Sequence, residues 1–388
     1  MRYFDHNATA PVSAAARAAW LAALERFPAN PSSPHRLGAR AATALEEAAR
    51  AVAGWLGCSP LDVVWTSGAT EAANAVFHHL ARAGADEVWV SALEHPCVLA
   101  AARRWLGQRV RLVPARPSGV ADLDWLAEEL RRRRPALVAL MAANNENGVL
   151  QPWREALTLC RAHGVAFACD AAQWVGKLPA EGLGACDFIL GSAHKFGGPL
   201  GVGFLKVPRG FHPLLVGGPQ QEGRRAGTEN VPGILALVAA WAERERQLAA
   251  GEAAAREHWR DQFIAGLRAA LPGVRVVGED APRLWNTVAA VMPPAPDCRW
   301  RWVVQLDKLG FAVSTGAACA SGKEQPSHVW LALGGRPEEA DRLLRFSAGW
   351  DTAQADWQAL LEGIRQVHAQ GLRATAAHSR RPPGRPRP

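Results

Sequence analysis

Ser192, His194 and Lys195 fall within four residues of one another at the end of an apolar run, in the stretch DFILGSAHKFGGPLGVGFL from Asp187 to Leu205. A second apolar run, VAFAC, closes on Asp170, with Gln173 one helical turn further on. A buried ammonium or carboxylate is costly unless it is paired. A structural ion pair between Asp170 and Lys195 is therefore one reading, and a solvated lysine in a turn is another. A third reading uses the neighbouring residues as well: an amine that captures an aldehyde, opposite an acid that pairs with a ring nitrogen.

Pyridoxal phosphate needs both groups, together with a phosphate cup and a flat surface against its ring. Gly68-Ala69-Thr70 precedes the helical pattern EAANAVFHHL, which brings backbone N–H groups and the Thr70 hydroxyl to a helix N-terminus where phosphate can bind. His95, in EHP, offers an aromatic plane. Ser192 and His194 add donors beside the lysine, and Gln173 could reach the cofactor's phenolic oxygen.

These residues must be positioned by a scaffold, and the pattern from about residue 40 to 205 supplies one. DVVWTSG, DEVWVSALEH, RVRLVPA, ALVALMAANNENG, VAFACDAAQ and FILGSAHK read as strands. AATALEEAARAVAGWLG and DLDWLAEELRRRR read as helices between them. Such alternation implies a mostly parallel sheet with helices on both faces. Its polar clusters fall at the carboxyl ends of the strands, where open α/β sheets bind ligands. Residues 233–271 carry one long helical pattern, and GVRVVGED and NTVAAVMP belong to a smaller unit.

With 388 residues and 49% hydrophobic content, the chain can bury a large core in two domains. No stretch reads as a transmembrane span, and the first residues lack the apolar core of a signal peptide. The seven cysteines are scattered without a CxxC pair, so neither a disulfide framework nor a metal site is indicated, and a reducing cytoplasm fits best. The net charge of +8 is concentrated in RRRR at 131–134 and in the tail HSRRPPGRPRP. The first reads as the end of an exposed helix and the second as disordered. No nucleic-acid-binding motif accompanies either, so specific nucleic-acid binding is not expected.

FDHNATAPV, NPSSPHRLGARA, TSGATEAAN, EHPCVL, NNENGVLQP, DAAQWVGK, SAHKFGGPLGVGFL, RRAGTEN, STGAACASG and LRFSAG occur in order from Phe4 to about Gly349. This series resembles the cysteine desulfurases, a branch of the fold-type I, class V aminotransferase superfamily. The resemblance implies an α/β fold with a seven-stranded, mostly parallel sheet and a smaller α/β C-terminal domain. The large domain would span 16–257, the small domain 1–15 with 258–372, and the basic tail 373–388. It implies that Lys195 forms the Schiff base, Asp170 pairs with the pyridinium nitrogen and His95 stacks on the ring. Gln173 would contact the ring oxygen, with Asn145 near cofactor and substrate. Ala69, Thr70, Ser192 and His194 would lie at the phosphate, which Thr228 would reach from the partner subunit of a homodimer.

By the same resemblance Cys319 handles the sulfur. STGAACASG holds almost only small side chains, so it cannot anchor itself by burial and reads as a swinging segment between Gly316 and Gly322. Cys319 would take the sulfur of L-cysteine as a persulfide, release alanine and deliver the sulfur to an iron–sulfur scaffold or a tRNA-thiolation protein. Arg345, in LRFSAG, is the expected clamp for the substrate carboxylate, because its planar fork binds carboxylates bidentately. Alternation with Leu344 and Phe346 would set it alone on one strand face. Departures from the family pattern lie beside the chemistry: STGAAC replaces the usual SSGSAC, Leu200 stands where a lysine is common, and WDTAQADW follows RFSAG. Selenocysteine lyase, cysteine sulfinate desulfinase, aminotransferase and non-catalytic scaffold remain the alternatives.

Overall fold

The computed structural model describes residues 1–294, 301–315 and 326–379, with side chains described up to residue 373. Cys319 and its small-residue segment lie outside the described residues, as do Cys298 and the tail from residue 380.

After a two-residue strand β1 (Arg2–Tyr3), the strands expected from sequence build one seven-stranded sheet. They are β2 (Val63–Thr66), β3 (Val88–Ser91), β4 (Val110–Val113), β5 (Leu137–Ala139), β6 (Ala166–Asp170), β7 (Phe188–Ser192) and β8 (Gly203–Lys206). Their spatial order is β2-β8-β7-β6-β5-β3-β4. β8 runs antiparallel to both neighbours and every other pair is parallel. The mostly parallel sheet is thus present.

Strand alternation divides the core in two, because successive side chains point to opposite faces. Val63, Trp65, Trp89, Val138, Phe167, Cys169, Ile189 and Phe204 join one apolar cluster. Val64, Val88, Val90, Leu137, Ala139, Ala168, Phe188, Leu190 and Leu205 join the other. Helices α1 (Ala14–Arg26), α2 (Arg36–Leu56), α3 (Ala69–Arg82), α4 (Pro96–Leu106), α5 (Leu123–Arg132), α6 (Trp153–Ala162) and α7 (Val231–Ala249) accompany this sheet. α3 and α4 cover the second face, while α2, α5, α6 and α7 contribute to the first.

The long helical pattern at 233–271 is a correction. It is two helices, α7 and α8 (Glu252–Ala270), broken at Gly251, whose φ of 73° is left-handed. Flanking alanines keep helix propensity high on both sides, so the break leaves little trace in the pattern. α8 also runs straight through residue 257, where the sequence placed a domain boundary.

The remaining strands are β9 (Arg275–Val276), β10 (Thr287–Val291), β11 (Phe311–Ala312), β12 (Ser314–Thr315) and β13 (Leu343–Ser347). They form an antiparallel sheet ordered β12-β13-β10-β9, while β1 pairs in parallel with β11. A third core cluster ties α8, α9 (Trp302–Lys308) and α11 (Gln354–Ser379) to this sheet through Phe263, Leu267, Trp302, Phe346, Trp357 and Ile364. The short α10 (His328–Ala332) follows the second undescribed segment. α11 extends past residue 373, where the tail was expected to start, because RATAA continues as good helix sequence before the proline-rich end.

No helix among the described residues is long and apolar enough to cross a membrane.

Candidate active site

A cavity of about 360 Å³ opens at the carboxyl edge of the central sheet. Ala69, Thr70, His95, Asn145, Asp170, Gln173, Ser192, His194 and Lys195 all line it. Each comes from the end of a strand, the loop beyond it or the first turn of the helix that follows, so the sheet's strand order converges residues scattered over more than a hundred positions. A slightly larger open groove of about 450 Å³ lies elsewhere, beside Arg116 and Trp153, and contains neither lysine nor thiol.

Lys195 sits in the turn after β7. Its Nζ donates to the carbonyl oxygens of Asn7 at 2.8 Å and Ala8 at 2.9 Å. Asp170 is buried and accepts the Ala172 N–H at 2.9 Å. Burial raises its pKa, opposed by that N–H and by the nearby Lys195 charge.

His95 is the N-cap of α4, its Nδ1 accepting the Cys97 N–H at 3.2 Å. Burial, and then the charges of Lys195 and His328, push its pKa down to about 4. It is a neutral imidazole near pH 7. His194, with Nδ1 3.1 Å from Thr9 Oγ1, is likewise pushed to about 4, by burial and then by Lys195 and Lys177.

α3 starts at Ala69 without a side-chain cap. The first N–H groups of a helix have no intrahelical acceptors, and their dipole favours an anion. The backbone here is closely nested: Gly68 has φ 150°, and a Cβ on Gly203 would stand 2.5 Å from the Gly191 oxygen and 2.6 Å from Gly68 Cα. Gly203→Ala should therefore cost about 1–3 kcal/mol of stability and weaken phosphate-ligand binding. Urea unfolding and phosphate titration would measure this; an unchanged unfolding midpoint would contradict the close approach.

Asn145 meets the cavity with a buried Oδ1 that has no hydrogen-bond partner among the described residues. Such an orphaned acceptor beside a lysine, a buried acid and an uncapped helix end fits a polar ligand that brings its own donor. The residues present accordingly fit pyridoxal phosphate: an amine for its aldehyde, a carboxyl for its ring nitrogen and a cradle for its phosphate.

Leu344 and Phe346 of β13 join the third core cluster and Arg345 does not, in keeping with strand alternation. All five residues of β13 are buried, Arg345 among them. Its guanidinium pairs with Asp5 Oδ1 at 2.6 Å and donates to the Asn145 carbonyl at 3.0 Å, leaving Nε without a described partner. Thr228 is exposed and does not line the cavity within one chain, although Arg225 in the same loop pairs with Glu71 of α3 at 3.0 Å. Leu200, standing where the family often has lysine, lines the cavity mouth and is exposed.

Sequence reasoning missed the residues that hold the lysine in place. Asn7 accepts from Lys195 and Gln173 through its carbonyl, and from Lys177 and Asn286 through Oδ1. Its Nδ2 donates to the Asn145 carbonyl and to Thr287 of β10. Gln173 is held at both ends of its amide, its Nε2 donating to the Asn7 carbonyl and its Oε1 accepting from Lys177 Nζ. Lys177 is completely buried, and burial followed by the Lys195 charge drives its pKa well down. The only signal for either residue was membership of the polar motifs FDHNATAPV and DAAQWVGK.

Glu146, beside Asn145, accepts from the Ser327 hydroxyl, and burial pushes its pKa up to about 7. A carboxyl raised in the folded state stabilises fully below its unfolded value near 4.5, and that contribution is lost as pH rises through about 7. Glu146→Gln should gain stability relative to wild type between pH 5 and 8, by up to about 3 kcal/mol. Chemical unfolding at both pH values measures it; a parallel pH dependence of the two proteins would contradict the shift.

The fold and site together define an α/β enzyme that presents a lysine amine at a strand end. The sequence family described as Aminotransferase class-V matches residues 2–360. A cysteine desulfurase of Cereibacter sphaeroides is 39% identical over 96% of both chains, and one of Sinorhizobium fredii is 36% identical over 94% of this chain and 96% of its own. A solved NifS-like protein superposes with a TM-score of 0.85 at 29% identity, over 95% of this chain and all of the other; one from Rickettsia africae gives 0.84 at 26%, over 95% and 99%. The chain belongs to the cysteine desulfurase family of class-V aminotransferases.

Proposed function

We propose that the protein removes sulfur from L-cysteine, giving L-alanine and a persulfide on Cys319, with pyridoxal phosphate as cofactor. The convergence of Lys195, Asp170 and the uncapped N-terminus of α3 on one cavity carries this reading. Lys195 would hold the aldehyde, Asp170 the pyridine nitrogen, and neutral His95 the ring face. Thr70, Ser192, His194 and the Ala69 backbone would receive the phosphate, completed by Thr228 from the other chain of a homodimer. Gln173 would face the ring oxygen, and Asn145 both cofactor and substrate. Arg345 would take the substrate carboxylate, which must displace or share the Asp5 contact.

When bound, the cofactor supplies an electron sink that makes the carbon–sulfur bond labile. Cys319, as thiolate, forms a bond to the substrate sulfur while the carbon–sulfur bond breaks. The carbon fragment keeps that electron pair, takes up a proton and leaves as alanine. Among the described residues Cys97 is the thiol at the cavity, and burial followed by the Asp170 charge pushes its pKa up to about 12. It stays a protonated thiol and a poor nucleophile, which leaves the sulfur to Cys319. The sulfur would then pass in the cytoplasm to a protein of iron–sulfur assembly or tRNA thiolation.

The test is to supply L-cysteine and a thiol reductant to the holoenzyme and quantify products. Equal alanine and sulfide are expected. Pyruvate and ammonia, or amino-group transfer to a keto acid, would contradict the reading. Parallel reactions with selenocysteine and cysteine sulfinate measure the substrate preference.

A further inference from the structure

Beside Asp170 lies a small space lined by Asp170, Glu94 and otherwise apolar groups, including Val76, Phe77, Val98 and Leu190. It leaves about 10 Å³ for the centre of a water, which is close to the room one water needs. Glu94 is 1% exposed, on the loop after β3. Its Oε1 accepts the Met141 N–H, while Oε2 is buried and has no partner among the described residues. The next residue, Ala142, donates its N–H to the Asp170 carbonyl at 2.9 Å, so the two carboxyl-bearing segments are joined one residue apart. His328 Nε2 lies 2.8 Å from the Glu94 carbonyl and fixes this loop from the other side.

We propose that Glu94 is a positioning residue for Asp170: as a neutral acid it donates from Oε2, through a single water in this space, to the Asp170 carboxylate. The proposal rests on the reading of the main cavity as a pyridoxal phosphate site.

Two buried carboxyls facing one small, mostly apolar space cannot both ionise cheaply. The charge belongs on Asp170, which has the Ala172 N–H and the nearby Lys195 cation to stabilise it. Glu94 has one backbone N–H, and its titratable neighbours are Asp170, Cys97, Cys169 and the histidines His95 and His328, whose pKa values burial lowers, so that none supplies a positive charge near neutral pH. Burial and then Asp170 drive its pKa well up, in agreement with that assignment. With Oε1 occupied as an acceptor, the acid proton resides on Oε2 and points into the shared space. Asp170 is thereby held as an anion in a fixed orientation, as the partner of a ring cation must be.

The proton on Glu94 is testable without cofactor. An infrared difference spectrum between the apo-protein and Glu94→Gln at neutral pH should show loss of a protonated carboxyl band that shifts in D₂O. Loss of carboxylate bands instead would overturn the proposal. The coupling is then read in holoenzyme carrying pyridoxal phosphate labelled with ¹⁵N in the ring. Glu94→Gln keeps an N–H donor in the same place and should keep the wild-type ¹⁵N shift and its pH titration. Glu94→Leu removes the donor and should displace both, with cofactor affinity about 10- to 100-fold weaker. Equal displacement in Gln and Leu variants, or displacement in neither, would overturn it. A protonated band in a protein that fails to bind the cofactor would instead contradict the functional reading.

Discussion

Lys195→Ala is expected to lower desulfurase turnover by about 10⁴-fold or more, since residues acting as one catalytic unit fail together. The purified variant should lack the borohydride-reducible covalent link to the cofactor that colours the wild type. The fold should survive. Lys195 is only partly buried, and its bonds to the Asn7 and Ala8 carbonyls are two among many that hold the N-terminal segment. Visible spectra before and after borohydride, beside circular dichroism, separate the two effects. A variant that kept a reducible link at this site, or that turned over L-cysteine normally, would contradict the assignment of the amine.

Cys319→Ser carries the second large effect. A thiol attacks as thiolate, and free cysteine has a pKa of about 8.5; a serine hydroxyl of similar size is a far poorer nucleophile toward sulfur. The substitution should leave cofactor binding and the spectral response to L-cysteine intact, because these depend on Lys195, Asp170 and Arg345. Alanine release should fall by about 100-fold or more. Stopped-flow spectra combined with alanine quantification distinguish binding from turnover. Serine variants that bind L-cysteine poorly would move Cys319 from sulfur transfer to substrate binding.

The parts of this site that were legible in the sequence share one property: each lies where an apolar run ends. Asp170 closes β6, Ser192 closes β7, and Thr70 and His95 begin the helices that follow β2 and β3. Strand period and helix period, read locally, were enough to bring them to one edge. Residues that act through long-range contacts left no such trace. The Asn7 carbonyl meets Lys195 across 188 positions, and Asp5 meets Arg345 across 340. Lys177 was visible only as the end of a motif, since its burial depends on Asn7 and Gln173 arriving from two directions. Glu94 was passed over for its neighbour His95 because a glutamate after a strand ordinarily faces solvent; its burial comes from the packing of α3 and α4 against the sheet. The break at Gly251 failed to register for a different reason, an alanine-rich context in which one glycine weakens a helix without announcing its end.

Sulfur transfer to Cys319 is tested most directly by peptide mass spectrometry of the wild-type holoenzyme after L-cysteine, quenched without reductant. One additional sulfur atom is expected on the peptide containing Cys319, lost on reduction and absent from Cys319→Ser. The added sulfur on the peptide of Cys97, the thiol at the cavity wall, would contradict the account, as would full alanine production with no persulfide on any cysteine.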